Sequence, residues 1–213
     1  MNTRLLYLIL LLFIVSACGG NHDEMEHTEE STHHDHAHHH HDMDVGTPSE
    51  LSVYNLESHW TDQEKKHVML PEFTGKIQVM AMVYTHCQSV CPRIVADMQT
   101  IDSKLLPEQK AAVNFLLVTI DPERDNPARL KQYAIENSLD NSRWKLLNGS
   151  KDDVLELAAL LGVKYKKISD VDYAHSNLIT VLNKQGEVVY QQQGLGTDPA
   201  KTLESINNLL IQQ

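Results

Sequence analysis

Between Ile77 and Pro92 an apolar run turns directly into the start of a helix, with Cys87 and Cys91 at the junction. Ile77 to Tyr84 reads as a buried strand. Pro92 suits the first turn of a helix that Cys91 opens and that runs to about Leu105. A second run rich in β-branched and apolar residues, Val113 to Ile120, has the composition of a central strand. Strands of this kind, interleaved with helices, belong to layered α/β architectures.

The rest of the chain extends the pattern. Leu51 to Asn55 alternates like a strand, Trp60-Thr61-Asp62 looks like a turn, and His67 to Leu70 reads as a short strand. Pro127 begins a helix through about Asn137, and Trp144 to Leu147 is short and strand-like. Lys151 to Leu161 carries Val154, Leu157, Ala158 and Leu161 at helical spacing and stops at Gly162. Leu178 to Leu182 and Val188 to Gln191 flank Asn183-Lys184-Gln185-Gly186, a hairpin pattern. Asp198 can cap a last helix, Pro199 to Leu210. A dithiol after one central strand and a closing hairpin plus helix describe a thioredoxin-like α/β sandwich, a central mixed sheet flanked by helices, over residues 50–213. No internal repeat is present.

The N-terminus reads as an export signal. Arg4 gives a positive start, and Leu5 to Val15 is an apolar core too short to span a bilayer. Small residues before Cys18 resemble a bacterial lipoprotein cleavage box. Residues 1–17 are then a signal peptide, and Cys18 is the lipidated first residue of an exported chain, anchored to a membrane and facing the periplasm in a Gram-negative cell. Export also places Cys87 and Cys91 where thiols tend to pair. Asn21 to Asp44 holds nine of the thirteen histidines, including His33, His34, His36, His38, His39, His40 and His41, mixed with eight acidic residues. So polar a stretch cannot bury enough surface to fold, and residues 18–49 are expected to be a tether whose imidazoles can take up transition metals. The net charge is −11, which argues against nucleic acid as a partner.

Two thiols four positions apart can exchange electrons, form a structural disulfide or grip a metal. One helical turn separates them by ~6 Å, which permits a disulfide and also a shared ion. A helix N-terminus favours the thiolate. Thioredoxin-type redox motifs have two residues between the cysteines, and here there are three. Paired thiolates suit Cu(I), and an imidazole extends the range to Cu(II). His175, in the loop before the Leu178 strand, is the candidate third donor. Met80 and Met82 lie inside the buried strand and read as core. Asp121 to Asp125 reads as loop architecture or a charged rim, with Asp125 or Asn126 capping the next helix.

Tyr84-Thr85-His86-Cys87-Gln88-Ser89-Val90-Cys91-Pro92, then Val118 to Pro127, then Tyr173-Ala174-His175-Ser176 resemble, in that order, the Sco/SenC family of copper-binding, thioredoxin-like proteins. The likeness runs from about Leu51 to the C-terminus. It implies one copper held by Cys87, Cys91 and His175. It also implies a metallochaperone or thiol-reductant role toward the Cu(A)-bearing subunit of cytochrome c oxidase or another copper carrier. Gln88 replaces the usual proline and Ala174 an aspartate that often precedes the histidine, which removes an expected partner of the ligand. His86 fits the family pattern as a possible extra ligand. The rival expectation is a thiol–disulfide oxidoreductase or peroxidase using Cys87 and Cys91 as a redox dithiol, with incidental metal binding.

Overall fold

The computed structural model describes residues 48–139, 142–170 and 172–211. The signal segment, Cys18 and the histidines of the leader lie outside the described residues. The elements are β1 (His59–Asp62), β2 (His67–Met69), β3 (Ile77–Val83), α1 (Val90–Lys104), α2 (Pro107–Lys110), β4 (Val113–Thr119), α3 (Pro127–Glu136), β5 (Trp144–Gly149), α4 (Lys151–Leu160), β6 (Tyr165–Lys167), β7 (Tyr173–His175), β8 (Leu178–Leu182), β9 (Val188–Gln193) and α5 (Ala200–Ile211).

Seven strands form one mixed sheet in the order β2-β1-β5-β4-β3-β8-β9. The three central strands run parallel, and β8 returns antiparallel along β3. All seven residues of β3 are buried, so both faces of this strand are covered. Covering on both faces explains why it reads as a continuous apolar run rather than an alternating one. Met80 and Met82 are core side chains, as expected. Helix α1 supplies part of the cover through Cys91, Ile94, Val95, Met98 and Ile101, a stripe at helical spacing. Between β4 and β5 the Phe115 and Trp144 rings stack with centroids 4.6 Å apart. This is the thioredoxin-like α/β arrangement.

The caps follow local chemistry. Asn126 accepts from the Arg129 N–H at the start of α3, with Pro127 in its first turn. Ser150 and Asp153 form a capping box on α4. Asp198 accepts from the Ala200 N–H at the start of α5.

Several local expectations differ: α2 has no counterpart among the expected elements, and His175 ends strand β7 rather than lying in a loop. Val53–Asn55 is a 3-10 turn rather than a strand, because the Ser52 hydroxyl accepts from the Tyr54 N–H and closes it. Trp60 to Asp62 is strand rather than turn, and the chain reverses after it, with Lys65 at φ 63°. Asp62 stays in the strand because its carboxylate accepts from the N–H groups of Glu64 and Lys66 and from Lys145. Strand β2 stops at Met69, where a 3-10 segment, Leu70–Phe73, begins with Pro71 in its first turn. The antiparallel ribbon β6–β7 has no counterpart in the expected elements, and its strands pair only with each other.

For the site, the decisive feature is register. Val83 pairs with Thr119 in parallel, so β3 and β4 finish side by side. The loop from Tyr84 to Ser89 therefore lies against the loop that begins at Ile120. Sites in parallel α/β sheets collect at this end of the strands.

Candidate metal centre

Cys87 sits in the loop after β3, and Cys91 in the first turn of α1. Both are buried, as thiols rather than as a disulfide. The Cys91 N–H donates to Cys87 Sγ at 3.4 Å, and the Tyr84 N–H donates to Cys91 Sγ at 3.5 Å. His175 closes the ribbon strand β7 and places Nε2 3.4 Å from Cys91 Sγ. One donor atom from each of Cys87, Cys91 and His175 lies within 4.8 Å of the other two. Donors ~2.0–2.3 Å from a shared ion stand about 3.5–4 Å apart in trigonal geometry, so the spacing is close to that of a common ligand set.

The protonation states suit that use. Burial alone would raise the Cys87 thiol, but N–H groups of Cys91 and Ser89 and the Cys91 thiol donate to its sulfur. The balance falls below the ordinary thiol value, to about 7. Cys91 is pushed up, chiefly by burial and in part by the charge of neighbouring Cys87, against the help of the Tyr84 N–H. Burial lowers His175 and keeps its ring neutral, despite the Ser176 carbonyl. His175 Nδ1 lies 3.0 Å from that carbonyl. If Nδ1–H donates there, the Nε2 lone pair faces the sulfurs.

Ala174 lies on the opposite side of the strand from His175 and is exposed. The backbone of Ser176, not a preceding carboxylate, orients the imidazole in this chain. Gln88 is exposed and lines a cleft of about 470 Å³ with His86, Ser89, Arg124 and Asp172. His86 turns away from the thiols: its Nδ1 lies 3.2 Å from Thr85 Oγ1 and 3.4 Å from Asp125 Oδ1.

Asp121, Asp125 and His86 form a second group of close donors, but its carboxylates already have partners. Asp125 is fully buried and accepts from the Thr85 N–H, the Thr85 hydroxyl and the Thr119 hydroxyl. Asp121 pairs with Arg124 and accepts from the Tyr173 hydroxyl. Arg129 adds two bonds, from Nε to Thr85 Oγ1 and from Nη2 to the Thr85 carbonyl. The loop entering the dithiol is thus clamped to the end of β4, and Asp125 is the clamp rather than a helix cap. Sequence reasoning gave Asp125 only as part of a charged rim or as a helix cap, and Tyr84 and Thr85 only within the motif, without a role at the site. Tyr84 ends an apolar run and looks like core, and a buried carboxylate in a charged loop has no spacing signature.

Residues 50–210 match the family described as SCO1/SenC. The chain belongs to that family. A SCO1 protein homolog of Bacillus subtilis is 28% identical over 141 residues, covering 65% of this chain and 72% of that protein. The solved structure of a SCO1/SenC family lipoprotein from Bacillus anthracis superposes with a TM-score of 0.67 at 25% identity, over 74% of this chain and 96% of the other. Bradyrhizobium japonicum ScoI with copper bound superposes with a TM-score of 0.56 at 26% identity, over 72% of this chain and 96% of the other. Among the described residues no helix is long and apolar enough to cross a membrane.

Proposed function

We propose that this SCO1/SenC protein holds one copper ion, Cu(I) or Cu(II), through Cys87, Cys91 and His175. The observation that carries the reading is the convergence of two sulfurs from one turn and an imidazole nitrogen from a distant segment. Donor chemistry points the same way, because thiolates and a neutral imidazole form a soft to borderline set. Bound copper supplies a one-electron redox ion that can also be passed on as cargo.

The residues divide the work. Cys87, with its value near 7, is substantially ionised at neutral pH and offers the first donor. Cys91 gives up its proton on binding, so uptake releases protons and weakens as pH falls. His175 needs no deprotonation. Pairing of Cys87 with Cys91 in a disulfide would remove both thiolate donors, which ties metal binding to redox state.

The wider role we propose follows from the chain's N-terminus and from its relatives. Cys18 carries the lipid that holds an exported chain at a membrane, and a related SCO1/SenC protein is a lipoprotein. The leader histidines His33, His34, His36 and His38 to His41 raise the local copper concentration near the site. The recipient is the Cu(A)-bearing oxidase subunit or another copper carrier. The closeness of the two free thiols, with the Cys91 N–H donating to Cys87 Sγ, favours a second use as a thiol reductant. Burial pushes the Cys91 thiol up, while the donors around Cys87 hold its thiol down. In that use the Cys87 thiolate attacks a partner disulfide and releases one partner thiol. Cys91 then loses its proton, attacks the mixed disulfide and releases the second. The partner gains two electrons, and this chain becomes the Cys87–Cys91 disulfide.

Metal analysis of the reduced protein lacking residues 1–49 tests the proposal. One copper per chain is expected, with loss in each of Cys87→Ala, Cys91→Ala and His175→Ala. Undiminished copper in His175→Ala, together with turnover of a disulfide substrate, would favour the redox reading instead.

A further inference from the structure

His175 rides on an element that the central sheet does not hold. Strands β6 and β7 hydrogen-bond to each other and to no strand of the seven-stranded sheet. Beyond the Asn177 carbonyl just before β8, which accepts from the Gly194 N–H, His175 needs a fixing point nearer the dithiol.

One side chain supplies it. Tyr84 is the residue immediately after β3 and is buried, so its backbone is fixed by the core. Its hydroxyl reaches the ribbon on two sides, donating to Asp172 Oδ1 at 3.2 Å and accepting from the Tyr173 N–H at 3.4 Å. Its ring meets Tyr173 edge-on with centroids 5.4 Å apart and His175 edge-on at 6.0 Å. Its own N–H is the one that donates to Cys91 Sγ. The same residue thus touches the thiol from its backbone and the imidazole's strand from its side chain. Tyr173 adds a second tie, from its hydroxyl to Asp121.

We infer that Tyr84 is a positioning residue for the metal centre, whose hydroxyl latches the β6–β7 ribbon so that His175 stays beside the dithiol. The inference rests on the copper reading above. The ring alone cannot do this, because edge contacts tolerate sliding, whereas a hydroxyl bonded to both Asp172 and the Tyr173 N–H fixes register along β7. Tyr84→Phe removes both bonds of the latch, together with the hydroxyl's interaction with Cys87, and keeps the ring and the backbone donor. Asp172→Ala removes one of the two latch bonds at an exposed position that bears on neither sulfur.

The test uses the full chain loaded with Cu(II). The thiolate-to-copper charge-transfer band reports this site and not the leader histidines, and its decay in excess chelator gives the rate of copper loss. Outer partners of metal ligands are commonly worth ~10–100-fold. Tyr84→Phe should speed loss about ten-fold, Asp172→Ala should speed it by less, and both should weaken the imidazole-nitrogen coupling in pulsed EPR. The double variant should be no faster than Tyr84→Phe alone, because Asp172 acts through the hydroxyl. Asp172→Asn, which keeps an acceptor oxygen, should restore the parent rate. Parent-like loss in both single variants overturns the inference, and so do effects that multiply in the double variant. Should Tyr84→Phe fail to fold, an unchanged rate in Asp172→Ala refutes it alone. Absence of the band in the parent would overturn the copper reading itself, a separate and recognisable failure.

Discussion

Asp125→Ala should cost this fold more than its loop position suggests. The carboxylate is fully buried and accepts from the Thr85 N–H, the Thr85 hydroxyl and the Thr119 hydroxyl. Hydrogen bonds to a charged group contribute ~1.5–3 kcal/mol each, and a buried donor left unpaired costs ~1–3 kcal/mol. The two threonine hydroxyls can rotate toward other acceptors, but the Thr85 N–H cannot. Removing the carboxylate also recovers its own desolvation, so the three bonds do not add. What remains is chiefly the unpaired Thr85 N–H, a net loss of ~1–3 kcal/mol. For a domain of this size each kcal/mol lowers Tm by ~2–4 °C, so a fall of roughly 2–12 °C is expected. Urea unfolding followed by fluorescence of Trp60 and Trp144, both buried, measures the loss directly. The neighbouring cap gives the scale: Asn126→Ala removes one exposed bond to the Arg129 N–H and should cost only ~1 kcal/mol. If Asp125→Ala costs no more than Asn126→Ala, the carboxylate does not clamp the dithiol loop, and the account of the site's scaffold fails.

Three more outcomes are expected. Alkylation of metal-free Cys87 should rise about ten-fold per pH unit below its value near 7 and level off above it, while Cys91, fully enclosed and with its thiol pushed up, stays unreactive until the chain unfolds. Because the folded-state value lies below the unfolded thiol's 9.0, the same ionisation stabilises the fold fully above pH 9, and this contribution disappears as pH falls through about 7. A flat alkylation profile from pH 6 to 8 would contradict both statements. His86→Ala should retain one copper by metal analysis, since the ring faces Asp125 and Thr85 rather than the sulfurs. Gly186→Ala should cost more than the ~1–3 kcal/mol of ordinary overpacking, because Gly186 has φ +79° and an added Cβ would stand 2.6 Å from the buried Tyr54 ring. A melting curve within 1 °C of the parent would refute that.

What could be read from the sequence depended on how each element buries its residues. Strands β3 and β4 are covered on both faces, so their apolar runs announce them. Helices α3 and α4 carry ordinary caps at Asn126 and Ser150. Strand β1 was obscured because Asp62 looks like turn chemistry, yet its charge is used by Glu64, Lys66 and Lys145 inside the fold. Leu51 to Asn55 alternates over too few residues to separate a strand from one turn of 3-10 helix. The β6–β7 ribbon left no trace, since three-residue strands with exposed lysines, Lys166 and Lys167, show no apolar alternation. At the site the thiol spacing was visible and the motifs together resembled one family. The Tyr84 hydroxyl and the Asp125 clamp act across distant segments, and only the folded chain brings them together with their partners.

X-ray absorption at the copper edge of the reduced, copper-loaded protein lacking residues 1–49 bears most directly on the proposed centre. Two sulfur scatterers and one imidazole nitrogen around a single copper are predicted, with the nitrogen lost in His175→Ala. A shell of nitrogen and oxygen alone, or one unchanged by removing either cysteine, would contradict it.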